Sequence, residues 1–259
     1  MCIRDSFETS QNLKTDLSEY YKFENSKTAW IELSQASGLS IIEKKKRNPG
    51  LTSTYGTGLS INHAIKSGCS EIILSLGGSA TNDAGAGIFQ ALGGKLLDEN
   101  NKQIGRGCES LIKIKQIKTP KYLNNIKFQI AYDVSNPLLG INGATKTYSS
   151  QKGATLDQIE KLEKNIFHFS HIVKKDLKID ITKVEGGGSA GGTAAGLYGL
   201  LGAKLTNGFQ LIAEFVNLEE KVELSDIIFT AEGKLDSQSL NGKVPIQLGK
   251  LAKKHKKIL

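Results

Sequence analysis

The chain has 259 residues, enough for one large domain or two modest ones, which excludes zinc knuckles and other fragment-sized modules. Its 28 glycines stand well above the usual ~7% while prolines number only 4, so the glycines mark turns and close backbone approaches rather than low complexity or a collagen repeat. The net charge is +8, but only Arg4, Arg47 and Arg106 among the 34 basic residues are arginine, and lysines spread through nearly every polar segment describe a solvated surface better than a nucleic-acid stripe.

In chain order, the opening MCIRDS is followed by no apolar h-region or small-residue cleavage site, so a secretory leader is not expected. Residues 28–33 (TAWIEL) read as a buried strand, and the basic loop through Lys44-Lys45-Lys46-Arg47 to Asn48-Pro49-Gly50 breaks regular structure. A helix is expected over 58–67, with Ile61, Ala64 and Ile65 on one face and Gly68 as its C-cap. Residues 71–76 (EIILSL) are a short apolar run of strand length closed by Gly77-Gly78, and helical periodicity resumes over 84–92. Residues 126–131 form another strand candidate ending at Tyr132-Asp133. Apolar residues at 159, 162, 166, 169 and 172 make 156–173 an amphipathic helix. The glycine-rich stretch 186–192 follows a strand-like LKIDITKV and precedes a small-residue helix over 193–201. Residues 226–230 (DIIFT) read as a strand, and 244–259 as a terminal amphipathic helix that runs into KKIL. Strands alternating with helices imply an α/β fold with a largely parallel sheet.

Cys2, Cys69 and Cys108 are odd in number and share no CxxC spacing, so neither a disulfide framework nor a zinc site is supported, and a reducing cytoplasm fits. No apolar run approaches the ~18 residues of a spanning helix, so no membrane partner is expected. The stretch from Gly140 to Thr147 approaches a P-loop but carries Thr145 where that pattern requires glycine before lysine, and is rejected. Residues 186–191 fit GxGxxG, without a second strand ending in an acidic residue about 20 positions on, which leaves a dinucleotide site as a minor alternative. His168 and His171 share a helical face but no acidic partner joins them, and no Ser-His-Asp or Cys-His order is assignable.

In open α/β sheets ligands gather at the carboxyl ends of strands, and three such ends carry polar turns: GGSATND after Leu76, YDVSNPL after Ala131 and AEGKLDSQS after Thr230. In the first, Gly77 and Gly78 admit a ligand close to the backbone, Ser79 and Thr81 offer hydroxyls, and the helix start that follows suits an anion. Asp83 is either a helix-start carboxylate or a group that takes a proton from an attacking hydroxyl, and its spacing leaves both open. In the third, Glu232 and Asp236 are hard oxygen ligands able to hold Mg²⁺, and Lys243 is a point cation for phosphate charge; a solvated charged loop is the plainer alternative.

Together these segments resemble the bacterial-type glycerate kinase family from about residue 28 to 254. The carriers are TAWIELSQASGL (28–39), NPGLTSTYGTG (48–58), GGSATNDAGAG (77–87), DVSNPLLGINGA (133–144), QKGAT (151–155), GGGSAGGTAAG (186–196) and AEGKLDSQSLNGKVP (231–245). The resemblance implies ATP-dependent phosphorylation of D-glycerate, with 2-phosphoglycerate the favoured product and Mg²⁺ as cofactor. It implies a two-domain α/β fold, a discontinuous Rossmann-like domain with an inserted α/β domain. On that pattern the inserted domain covers 7–222 and carries GGSATND, and 223–259 is the C-terminal part of the Rossmann-like domain.

Carried over position by position, the binding residues are Thr57, Gly58, Gly77, Gly78, Ser79, Thr81, Asn82, Glu232, Gly233 and Ser237. The catalytic residues are Asp83, Asp236 and Lys243, with Asp236 or Glu232 on the metal. Asp83 is expected to position or deprotonate the glycerate hydroxyl and Lys243 to neutralise transition-state charge. Partners are then glycerate and ATP, with no nucleic acid and no membrane, and a homodimer is compatible with the sequence. Departures from the pattern are Gly50 where the family has a bulky residue, Ser135 in place of an acid or amide, and Ala231 in place of glycine. The APDSFKG-type and ADGGEGT-type segments that open family members are not found, so the chain is expected to be an incomplete copy, and inactivity as a fragment stays open as an alternative.

Overall fold

A computed structural model describes residues 21–22, 27–231 and 244–259. The chain forms two compact units, one running to Leu205 and one over Thr206–Leu259, whereas the resemblance put the division after residue 222.

The first unit holds four strands of a five-stranded sheet in the order β1-β2-β3-β6-β7, with β1 at Tyr21–Lys22, β2 at Thr28–Glu32, β3 at Glu71–Ser75 and β6 at Lys127–Tyr132; β7 at Lys204–Asn207 straddles its end. The strands β2, β3 and β6 run parallel in a register that sets Ala29 beside Ile72 and Ile72 beside Phe128. Ile72, Ile73 and Leu74 are all buried, which explains why EIILS is an unbroken apolar run: a central parallel strand is covered on both faces. Two three-residue strands, β4 (Lys95–Leu97) and β5 (Gln116–Lys118), pair antiparallel as a separate small sheet.

The helices cover these sheets. The chain turns from β2 straight into α1 (Leu33–Ser37), and α2 (Tyr55–Lys66) begins three residues before the expected start at 58. Gly58 explains the close crossing of α2 with α3 (Ala86–Ala91), because a methyl there would lie 2.6 Å from the Ala91 Cβ. A short helix, α4 (Ala144–Tyr148), leads to α5 (Leu156–Leu177), which starts in a capping box formed by Thr155 and Gln158. Its buried face holds Ile159, Leu162, Ile166, Phe169 and Ile172, the five positions that periodicity selects. One apolar core lies between α5, α6 (Ser189–Leu201) and the 3₁₀ turn Cys108–Lys113; the other joins β2, β3 and β6 to α2 and α3.

The second unit comprises α7 (Gly208–Phe215), capped by Asn207, then α8 (Leu218–Leu224) and α9 (Val244–Lys254). Glu219 of α8 holds both Lys254 and His255.

Two expectations fail. LKIDITKV is not a strand: its Asp180 carboxylate takes the Thr182 amide and hydroxyl at 3.2 and 2.6 Å and closes a 3₁₀ turn at Ile181–Lys183. The strand–turn–helix frame of a dinucleotide fingerprint is therefore absent, and the GxGxxG match loses its context. DIIFT likewise forms no regular strand among the described residues. It makes one parallel bridge, Ile227 to Ile258, and leaves Phe229 exposed.

Candidate functional site

The parallel strands β2, β3 and β6 deliver three segments to one edge: α1 after β2, the turn from Gly77 to Asp83 after β3, and residues 133–137 after β6. The glycine turn is tied to the end of α1 and the 3₁₀ turn after it by backbone bonds, Leu39 N to Gly78 O at 2.8 Å and Ala80 N to Ser37 O at 3.0 Å. The Thr52 hydroxyl adds a bond to Ala80 O at 2.8 Å. A second glycine stretch, which opens α6, seals the far side. Gly191 lies so close that a Cβ there would overlap the Thr81 carbonyl, and Ala84 N donates to Gly191 O at 3.1 Å. Ala190, Gly191 and Gly192 reach that approach through positive φ angles of 52°, 66° and 86°, left-handed backbone that is expensive for Ala190. The same stretch reaches the third segment, with Gly188 N donating to Asn136 O at 2.9 Å.

Within the turn, residues divide by direction. Gly77 and Gly78 are exposed, and no atom lies within 4 Å of where a Gly77 Cβ would stand. Asn82 and Asp83 are fully buried. Asn82 reaches the Thr145 hydroxyl at 3.2 Å and accepts from Ser149 Oγ at 3.4 Å, anchoring the turn on α4 and the segment after it. Asp83 Oδ2 accepts from Thr54 N at 2.8 Å, Thr54 Oγ1 at 3.0 Å and Gly87 N at 3.2 Å, and Oδ1 accepts from Gly85 N at 3.3 Å. Burial pushes the Asp83 carboxyl above the usual range, against the pull of its Thr54 and Gly87 donors.

This arrangement changes what the helix start can do. The Gly85 and Gly87 amides serve the Asp83 carboxylate, the Ala86 amide its carbonyl, and the Ile88 amide the Thr54 hydroxyl at 3.1 Å. An anion expected at the start of α3 finds those donors already used. What remains open to a ligand is the Gly77-Gly78 backbone. The Asp83 carboxylate is buried, with both oxygens engaged by the Thr54, Gly85 and Gly87 donors.

Thr57 and Gly58 lie buried inside α2; Thr57 Oγ1 lies 2.8 Å from Ser37 Oγ and so braces the same edge from behind. Thr81 is buried, and its Oγ1 has no hydrogen-bond partner, as does Ser189 Oγ of the second glycine stretch. Glu232, Gly233, Asp236, Ser237 and Lys243 fall outside the described residues. Among the described residues no group of three or more His, Cys, Asp or Glu side chains can hold a metal ion. Asp133 and Glu32, exposed near the strand ends, are hard oxygen donors of the type that suits Mg²⁺.

The residue that sequence reasoning missed is Lys152. It is 2% exposed, and its Nζ donates to Ser79 Oγ at 2.9 Å and to Thr81 O at 2.7 Å, directly beneath the turn. Burial lowers its pKa to about 7, while Asp83 opposes the shift. The available signal was QKGAT itself, a lysine next to a glycine that adopts φ +96° with a Cβ position overlapping the Arg47 carbonyl. In the P-loop-like stretch, Thr145 is buried on Asn82, and Lys146 pairs with Glu160 at 3.1 Å.

Comparison with known proteins gives a consistent result. A model described as the glycerate kinase family matches residues 3–259. The chain is 43% identical over 240 residues to a glycerate kinase of Halalkalibacterium halodurans, covering 92% of this chain and 63% of that one. It is 44% identical over 235 residues to a glycerate 2-kinase of Escherichia coli, covering 89% and 61% respectively. Among solved structures, a protein assigned as glycerate kinase 2 in Salmonella typhimurium LT2 superposes with a TM-score of 0.84 at 38% identity, over 92% of this chain and 64% of the other. The chain thus spans about three fifths of the length of the relatives it matches. Among the described residues, no helix is long and apolar enough to cross a membrane.

Proposed function

This chain belongs to the glycerate kinase family, and on that footing we propose that it serves the ATP-dependent phosphorylation of D-glycerate. The observation that carries this reading is the exposed Gly77-Gly78 backbone at the carboxyl edge of a parallel sheet, with Ser79 beside it on a buried lysine. Phosphoryl transfer asks mainly for placement and charge neutralisation, and such an edge can receive an anionic oxygen without a side chain in the way. Asn82 and Asp83 keep the turn in shape, the Thr81 carbonyl accepts from Lys152, and Thr57 and Gly58 keep α2 against it.

Glu232, Gly233, Asp236, Ser237 and Lys243 enter the proposal through the resemblance alone, Asp236 or Glu232 as Mg²⁺ ligands and Lys243 as a cation for phosphate. The metal, when bound with ATP, would screen phosphate charge. The division into an inserted domain over 7–222 and a Rossmann-like remainder belongs to the same proposal. 2-Phosphoglycerate is the favoured product, a preference supported by the Escherichia coli relative, which is named a glycerate 2-kinase.

The test is ADP release by this chain, with the family's opening and closing segments restored to it, supplied with MgATP and D-glycerate, with the product identified by ³¹P NMR. Glycerate-dependent ADP together with a signal from phosphate on O2 is the expected result. ADP release indifferent to glycerate, or none, overturns the reading, and a phosphate on O3 overturns the product alone.

A further inference from the structure

Lys152 has no role in the proposed reaction so far, yet its burial demands one. A lysine ammonium taken fully out of water costs several kcal/mol unless it is paired, and Ser79 Oγ and Thr81 O are the acceptors that meet it. Both belong to the turn that carries Gly77 and Gly78. The lysine is held from behind as well, because Gly153 packs on the Arg47 carbonyl while the Arg47 guanidinium is spent on Leu39 O and Ile42 O at 3.1 and 3.3 Å. Lys152 is therefore fixed at both ends under a backbone segment that is open to solvent.

The direction of the Ser79 bond decides what the turn offers. An ammonium has protons to give and no lone pair, so a charged Lys152 makes Ser79 Oγ an acceptor and leaves the Ser79 hydroxyl proton free to turn elsewhere. Ser79 is 8% exposed and adjoins Gly78, so the exposed side of the turn is where that proton can be used. A neutral amine has a lone pair that can take the same proton, and the hydroxyl then points inward. We propose that Lys152 is a positioning residue that acts through Ser79: while charged, it turns the Ser79 hydroxyl outward as a donor to an anionic oxygen of the substrate lying on Gly77-Gly78. The inference rests on the anion-receiving turn of the proposed function and adds to it the group that switches the turn on.

Binding and protonation are then linked. Asp83, buried behind the same turn, is the charged side chain that acts on Lys152, and it favours the charged form, while burial works the other way and brings the lysine to about 7. An anion on the turn adds to the Asp83 side of that balance, so the complex takes up a proton at any pH where free Lys152 is mostly neutral.

The experiment is calorimetric titration of the whole chain with D-glycerate over pH 6–9, and separately with MgATP over pH 7.5–9, where its phosphates no longer titrate. Each titration is run in two buffers of different ionisation heat. The arm that shows the linkage identifies the anion as a carboxylate or a phosphate. The expected result is uptake approaching one proton per ligand and affinity falling about tenfold per pH unit above pH 7. Ser79→Ala is expected to lose about tenfold in affinity together with the uptake, and Lys152→Met to bind weakly with a flat profile. Lys152→Arg, charged throughout, restores affinity with a flat profile.

Wild-type affinity that is flat in both arms without proton uptake overturns the proposal, as does the absence of binding by either ligand. A Lys152→Met chain that is only less stable, with the wild-type pH profile, shows a structural clip and overturns it too. The wild-type and Ser79→Ala titrations decide the matter if Lys152→Met fails to fold. Proton-linked binding without ADP formation leaves this inference standing and removes the kinase reading; ADP formation with a flat binding profile does the reverse.

Discussion

Two glycine-rich segments of this chain look alike as text and behave oppositely as structure. In the stretch 186–192, Cβ atoms would run into the Tyr132 ring at Gly186, the Pro137 carbonyl at Gly188, the Thr81 carbonyl at Gly191 and the Leu138 side chain at Gly192. At Gly77, by contrast, nothing lies within 4 Å, and at Gly78 the nearest neighbour is Ser34 Cβ at 3.4 Å. One set of glycines exists so that backbone can touch backbone inside the protein; the other leaves room outside it. A glycine motif therefore signals close approach, and only burial says whether the approaching partner is the protein or a ligand.

The sharpest way to break this contrast is Gly191→Ala. The methyl would overlap the Thr81 carbonyl, and the backbone holds a φ of 66° that alanine adopts only at a cost of about 1–2 kcal/mol. The expected loss is on the order of 3 kcal/mol or more in urea unfolding, enough to remove much of a typical domain's stability. A loss under about 1 kcal/mol would mean that the two turns are not pressed together.

Asp83→Asn comes next and separates two roles for that carboxylate. An amide in its place keeps one acceptor oxygen for the Thr54 and Gly87 donors at best, and then turns a donor NH₂ toward Gly85 N, which already donates. Destabilisation of about 2–3 kcal/mol is expected, the range for hydrogen bonds to a charged group. A variant of unchanged Tm that loses only turnover would instead return Asp83 to the reacting hydroxyl.

Lys152 gives the contrast a pH dependence. Its pKa is about 7 in the folded chain and near 10.4 unfolded, so between those values the unfolded chain binds the extra proton. Stability from this group is therefore fully present above about pH 10.4, falls as pH drops toward 7, and is level below it. Raising the pH from 7 to 9.5 should stabilise the wild type relative to Lys152→Met by about 1–3 kcal/mol, measured by urea unfolding at each pH. Parallel pH curves for the two chains would mean that the lysine is hydrated.

The same particulars explain what could be read in advance. The face of α5 and the strand β3 follow from periodicity and from an unbroken apolar run, signals long enough to outweigh local preference. The strands β4 and β5 are three residues each, too short to carry a period of two. LKIDITKV alternates like a strand, but one carboxylate two residues before a threonine offers the backbone a local turn instead. Lys152 is one lysine among many in a solvated sequence, and the acceptors that meet it, Ser79 Oγ and Thr81 O, lie 73 and 71 residues earlier in the turn after β3. Whether Asp83 faced a ligand or the helix start depended on Thr54, 29 residues earlier, and no local spacing records that contact.

Gly77→Ala is the smallest perturbation and tests the open half of the contrast. Gly77 is exposed and is not among the residues of positive φ, so alanine fits its backbone without strain. Loss of unfolded-chain freedom should then leave stability unchanged or raise it by about 0.5 kcal/mol. The new methyl stands where an anionic oxygen would approach the backbone, so D-glycerate or MgATP, whichever occupies the turn, should bind about tenfold more weakly in calorimetry. Because the fold is unaltered, a weaker affinity has no structural explanation other than the methyl itself. Unchanged affinity for both ligands would mean that the exposed pair serves only the turn, and a large drop in stability would mean that Gly77 is packed like Gly191.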